Sequence, residues 1–167
     1  LCIVDNLSKS RLDVLVSIEE ISKKSPAFHK VDINNYSELV DVFKEFMPDV
    51  VIHAAGLKSV TESAVEPLNY YEVNVMGTIN LLKALDASGC KRVVFSSSAT
   101  VYGKTNSVPI DEGHKLDPES IYGKTKLFSE QIINDWVVAS EYRSAIVLRY
   151  FNPIGAHSSG LIFDNPL

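Results

Sequence analysis

Tyr122 and Lys126 stand four residues apart in Ser120-Ile121-Tyr122-Gly123-Lys124-Thr125-Lys126, and Ser98 closes the run Val93-Val94-Phe95-Ser96-Ser97-Ser98. On a helix, residues i and i+4 share a face, so this spacing holds the Lys126 ammonium near the Tyr122 phenol. A free phenol titrates near pH ~10 and is a poor base at neutrality. A neighbouring cation favours the phenolate and brings the group toward a range in which it can exchange a proton with an alcohol and ketone pair. Ser98 at a strand end is placed to hydrogen-bond the same oxygen. Each feature alone also has a plain structural reading. A Tyr-x-x-x-Lys pair suits an exposed helix face, and Ser96 and Ser97 suit hydroxyls that satisfy backbone groups in a turn.

These residues need a strand, a loop and a helix to bring them together. Val93-Val94-Phe95 lacks alternation and reads as a strand buried on both faces of a parallel sheet, opening at its carboxyl end into the serines. That edge is where open α/β sheets bind ligands. Pro109, Gly113 and Pro118 exclude regular structure from the Lys104–Glu119 loop. The Tyr122 helix runs to about Ser140, and a strand over Ala145–Arg149 delivers Tyr150-Phe151-Asn152-Pro153 to the same edge. Upstream, Leu1–Val4 reads as a strand ending in Asp5. Leu12, Leu15, Val16 and Ile18 mark a short helix between Arg11 and Lys23, and Phe28–Asp32 a strand. Ser37 is the expected N-cap of a helix whose Leu39, Val42, Phe43 and Phe46 face the core before Pro48. Asp49–His53 is a further strand, entering the small-residue turn Ala54-Ala55-Gly56, where a ligand can approach the backbone closely. Pro67 opens a long crossover helix that Gly89 stops. Asn74 lies within it as a buried amide in need of partners. This alternation predicts a doubly wound parallel α/β sheet with right-handed crossovers.

FSSSATVYG, then YGKTK, then LRYFNPIGAH closely resemble the extended short-chain dehydrogenase/reductase family, and IVDNLSKS, HAAGLKSVTES and PLNYYEVNVMGTINLL match it in the same order. The branch resembled interconverts UDP-glucose and UDP-galactose, with their N-acetyl forms as further candidates. The resemblance implies a Rossmann fold, NAD as the cofactor, a UDP-hexose as the substrate and a homodimer formed through the helices after Pro67 and Ile121. By the same resemblance Ser98, Tyr122 and Lys126 are catalytic. Asp5, Asn6, Asp32, Ile33, Ala54, Ala55, Gly56, Lys58, Asn74, Ser96, Tyr122, Lys126 and Phe151 hold the cofactor. Lys58, Ser98, Thr100, Tyr122 and Asn152 meet the substrate. From the residues alone, Asp5 is equally an ordinary polar strand end, and Asp32 equally caps the next turn. Where the family commonly has an aromatic, this chain has Ala54. A 4,6-dehydratase resembles the same plan but carries an acidic pair after the strand-end Ser or Thr, whereas Ala99 and Val101 flank Thr100 here.

With 46% hydrophobic residues over 167 positions, the chain has enough apolar content for one domain with a sizeable core. A net charge of −5 disfavours a nucleic-acid partner. No apolar run reaches the length of a membrane span. Cys2 and Cys90 read as reduced thiols, pointing to the cytoplasm. His29, His53, His114 and His157 lie without ligand spacing and read as turn or strand-end residues, so no metal site is expected. Residues 1–157 are expected to form a partial NAD-binding Rossmann domain, and 158–167 the start of a tail leading to a substrate domain. The family's first βα unit, with its glycine-rich phosphate turn, is not among these residues, nor is its carboxyl-terminal domain. The chain thus reads as an internal fragment, inactive by itself, with a truncated non-catalytic nucleotide-binding or interaction protein as the competing reading.

Overall fold

The structure is a computed structural model and describes residues 1–105 and 107–162. The last residues of the expected tail, 163–167, lie outside the described residues. Among the described residues, five strands form two parallel sheets: β1 (Cys2–Val4) pairs with β2 (Ala27–His29), and β3 (Val51–His53), β4 (Arg92–Ser98) and β5 (Ser144–Tyr150) form the second in that order. The parallel α/β fold is as expected, but the one sheet is divided, because β1 and β3 do not pair. Both sheets still share a core: Cys2, Val4 and Val51 pack against the cluster that contains Val93 and Phe95. In β4, Val93, Phe95 and Ser97 are buried while Val94 and Ser96 are half-buried, so both faces are covered.

The helices differ in how firmly they are seated. α1 (Asp13–Ser22) buries no residue; Leu15 and Ile18 are half-covered, while Leu12 and Val16 of its expected apolar face are exposed. α2 (Tyr36–Phe46) buries Leu39, Val42 and Phe43 as its spacing predicts, with Phe46 left exposed. Its N-cap is Asn35, not Ser37: the Asn35 side chain accepts from the Glu38 amide, and Ser37 sits inside the first turn, donating its hydroxyl to Asn35. A short α3 (Val60–Val65) escapes the apolar periodicity. Ser59 caps it by accepting from the Glu62 amide, a Ser-x-x-Glu spacing that announces a helix start.

The crossover helix runs as α4 (Pro67–Tyr70), a π-helical turn (Tyr71–Met76) and α5 (Gly77–Ser88), ending at Gly89 with φ 78°. The sequence predicts one uninterrupted α-helix. Its widened turn instead lets the Asn74 carbonyl accept from the hydroxyls of Thr78, at 2.6 Å, and Ser129, at 3.1 Å. α6 (Ile121–Val138) is capped by Ser120, which accepts from the Gly123 amide. Between β4 and α6, a 3-10 turn (Ala99–Tyr102) leads into the loop, whose two ends are fastened together. The Asp117 amide donates to the Val101 carbonyl at 3.0 Å, and Gly103, at φ 61°, brings its α-carbon so close that a Cβ would lie 2.0 Å from the Asp117 carbonyl. No other residue type fits there.

Candidate active site

β4 and α6 converge where the strand ends. The Lys126 ammonium donates to the Ser96 carbonyl at 2.9 Å and lies 4.9 Å from the Phe95 ring centre and 5.8 Å from that of Tyr122. Lys126 is buried, and loss of hydration pulls its ammonium down to about 8. Ser98 lies beside the Tyr122 phenol. Burial raises the phenol's titration and Ser98 lowers it, with burial the larger effect. The sequence leads one to expect the opposite direction, through Lys126. Burial governs the direction because the phenol is half-buried and the ammonium approaches the ring, not the oxygen. Ser98 also accepts from the Thr100 amide at 3.2 Å and from the Thr100 hydroxyl at 3.0 Å, which joins Thr100 to the same cluster.

Asn74 fixes the opposite wall. Its side-chain oxygen accepts from the Leu57 amide at 2.8 Å, and its nitrogen donates to the Leu57 carbonyl and to the Thr125 hydroxyl, both at 3.0 Å. Thr125 donates in turn to the Tyr122 carbonyl at 2.7 Å. The buried amide is therefore satisfied and, in being so, locks the turn after β3 to the helix that carries Tyr122. Gly56 in that turn has φ 150°, and a Cβ there would lie 2.9 Å from the Asn74 oxygen and 3.8 Å from the Lys126 nitrogen. Ala54, Ala55 and Lys58 line the exposed side of the same turn.

A second cluster occupies the ends of β1 and β2. Asp5 accepts from the Leu7 amide at 2.6 Å and the Ser10 hydroxyl at 2.7 Å, and Asn6 donates to Asp32 at 2.7 Å. Asp32 follows β2 in a turn, and its other oxygen accepts from the Asn34 amide. The Ile33 side chain packs where a Cβ on Gly77 would stand, 2.7 Å away, so this cluster is seated against the start of α5. Phe151 and Asn152 are exposed, one and two residues beyond the Ser98–Tyr150 pairing of β4 and β5. Phe151 lines a cleft of about 370 Å³ with Tyr102, Ile110, Glu112 and Arg149.

Several supporting contacts are absent from the sequence reading. The Ser63 hydroxyl accepts from the Tyr122 amide at 3.2 Å. His53, buried at the end of β3, meets the Thr78 hydroxyl at 3.0 Å, and burial first, then the Lys126 charge, pushes its imidazole down to about 3. Thr78 spends its proton on the Asn74 carbonyl, so neutral His53 is the donor in that pair. Glu130, buried on α6, forms an ion pair with the half-buried Arg149 of β5, 2.7 Å apart. The remaining histidines sit as expected: His29 ends β2, His114 bonds Asp111 and Ser107 in the loop, and His157 bonds Ser159 in a turn.

Parallel strands whose carboxyl ends gather a serine, a tyrosine and a lysine, beside a glycine turn, define a Rossmann-like α/β protein of the short-chain dehydrogenase class. Residues 3–165 match the NAD dependent epimerase/dehydratase family, and the chain belongs to it. It is 48% identical over 164 residues to the UDP-glucose 4-epimerase of Dictyostelium discoideum, which covers 98% of this chain and 48% of that protein. The Bacillus subtilis UDP-glucose 4-epimerase is 44% identical, with the same coverage of 98% and 48%. Among solved structures, the UDP-glucose 4-epimerase of Stenotrophomonas maltophila, with bound NAD and formylated UDP-arabinopyranose, superposes with a TM-score of 0.96 at 40% identity, covering 99% of this chain and 49% of that one. The Bifidobacterium longum enzyme in complex with NAD+ and UDP gives 0.94 at 41% identity, covering 98% and 49%. The chain spans about half the length of these relatives.

Proposed function

We propose that the chain supplies the dinucleotide-binding and catalytic half of an isomerase that interconverts UDP-glucose and UDP-galactose at sugar C4 with NAD held throughout. The observation that carries this reading is the convergence of Ser98, Tyr122 and Lys126 at the end of β4, with the Lys126 ammonium held on the Ser96 carbonyl and 5.8 Å from the Tyr122 ring centre. The site suits the cofactor on two further counts. The turn after β3 presents only the small, exposed Ala54, Ala55 and Gly56, so a ligand can approach its backbone closely, and the Asn34 side-chain oxygen, in the turn that begins at Asp32, is buried without a partner among the described residues. Asp5, Asn6, Asp32 and Ile33 would hold the adenosine end. Ala54, Ala55, Gly56, Lys58, Asn74, Ser96, Lys126 and Phe151 would hold the rest.

When bound, NAD supplies the acceptor for the C4 hydride and returns it to the opposite face. The chain's own groups handle the proton. Tyr122 takes it from the sugar 4-hydroxyl and gives it back, Ser98 hydrogen-bonds the reacting oxygen, and Lys126 favours the phenolate. Thr100, Lys58 and Asn152 would orient the sugar nucleotide. A homodimer through the helices after Pro67 and Ile121 fits the exposed Leu68 and Phe128, with Tyr71 and Phe128 rings 6.1 Å apart. Both cysteines are free thiols, which supports a cytoplasmic place, and the proposed UDP-glucose and UDP-galactose pair would put the activity in galactose metabolism.

The test is Tyr122→Phe in the natural gene product, assayed on UDP-galactose. Turnover falls at least about a hundredfold if Tyr122 moves the proton. Near-normal turnover removes it from that role, and a natural product that never turns over favours a non-catalytic binding protein.

A further inference from the structure

Glu130 lies four residues beyond Lys126 on the same face of α6, a spacing at which a carboxylate and an ammonium ordinarily pair. The two side chains reach adjacent residues of β4: Lys126 donates to the Ser96 carbonyl, and Glu130 accepts from the Ser97 hydroxyl. They nevertheless form no ion pair. Both Glu130 oxygens are taken by Arg149 of β5, whose Nε donates at 3.1 and 3.2 Å and whose Nη2 donates at 2.7 Å. Arg149 is held in turn by Tyr102: its remaining nitrogen donates to the phenol oxygen at 3.0 Å, and its guanidinium lies 5.0 Å from the ring centre. A planar fork engaging both oxygens fixes the carboxylate in angle as well as position.

We propose that Arg149 is a positioning residue for the reaction: by claiming both oxygens of Glu130, it keeps this carboxylate off Lys126 and leaves the ammonium to Tyr122 and the dinucleotide. This rests on the reading of Lys126 as the partner of Tyr122. The titratable groups that bear on Lys126 are His53 from β3, Tyr122 and Glu130 from α6 and, through Glu130, Arg149 from β5. His53 stays neutral over the working range, and Tyr122 is the group to be tuned. Glu130 is then the acid whose pairing decides the field at Lys126. Free of Arg149, it would hold the ammonium and oppose the phenolate.

The experiment follows the NMR titration of the Lys126 Cε resonance, assigned by Lys126→Arg. Arg149→Met leaves Glu130 without its partner and moves the Lys126 titration up by roughly one pH unit. Glu130→Gln leaves Arg149 uncompensated and moves it down. The double variant, with both charges gone, returns it to the wild-type position. Shifts of the same sign in the two single variants, no shift in either, or a double variant that does not recover would overturn the proposal. Should Arg149→Met not fold, Glu130→Gln and the double variant decide by the same criteria. Because the titration needs no turnover, opposed shifts in a protein that fails to epimerise reject the proposed function and leave standing the control of Glu130 and Lys126 by Arg149. Turnover with an unmoved titration does the reverse.

Discussion

Around β4, the buried side chains include Asn74, Thr78, Ser97, Thr125 and Glu130, and each polar one is hydrogen-bonded; beside β1, α1 buries none of its ten residues. The two regions share a backbone plan of short parallel strands joined through helices. They differ in what their interiors must satisfy. A buried amide or carboxylate costs free energy unless its partners are in place, so the β4 region has few alternative arrangements. The Asp5–Asp32 cluster is built from half-exposed groups that water can also satisfy, so its geometry is less tightly constrained. Proton transfer tolerates little misplacement, and its candidate residues lie in the constrained region.

Matched truncations in the two regions test this contrast most directly. Phe95→Ala, at a position 1% exposed, should cost about 3–5 kcal/mol in urea unfolding, whereas Val16→Ala, at a position 67% exposed, should cost less than about 0.5 kcal/mol. Similar losses at the two positions would mean that the β1 side is as firmly seated as the β4 side.

A smaller effect sharpens the comparison through pH. His53 is held near 3 in the fold, against an ordinary value of 6.5, so only the unfolded chain binds its proton between those limits. Stability is therefore complete above about pH 6.5 and declines as pH falls toward 3, by at most roughly 1.4 kcal/mol per pH unit. Lys126, lowered to about 8, is charged in both states throughout this window and adds no slope. From pH 7 to 4.5 the loss should be about 2–3 kcal/mol, and His53→Gln should flatten it. An unchanged slope in that variant would place the acid sensitivity elsewhere.

Local features were the legible ones. The Tyr122–Lys126 spacing, the apolar run into the serines, and the Pro67 and Gly89 limits of the crossover helix are set by neighbours a few residues away. Asn35 displaced Ser37 as a cap because two candidates two residues apart compete and only backbone geometry chooses between them. The π turn at Asn74 was hidden because it depends partly on Ser129, far along the chain. Arg149 read as one more strand residue for the same reason: its partners Glu130 and Tyr102 come from two other elements. The direction of the Tyr122 titration was misjudged because spacing reports a neighbouring charge but not the enclosure of the phenol.

The fastening of Gly103 and Val101 to Asp117 makes the intervening loop a closed excursion. Tyr122 takes its position from the clasp and from Ser63, not from the path between residues 104 and 116. Length there is thermodynamically inexpensive, since doubling a flexible loop adds only about 0.6 kcal/mol of closure entropy. The tip is thus a port at which a reporter or binding module can be spliced into the protein, and a doubled loop should shift the melting temperature by only a few degrees; collapse of the fold would show that the excursion itself carries structure.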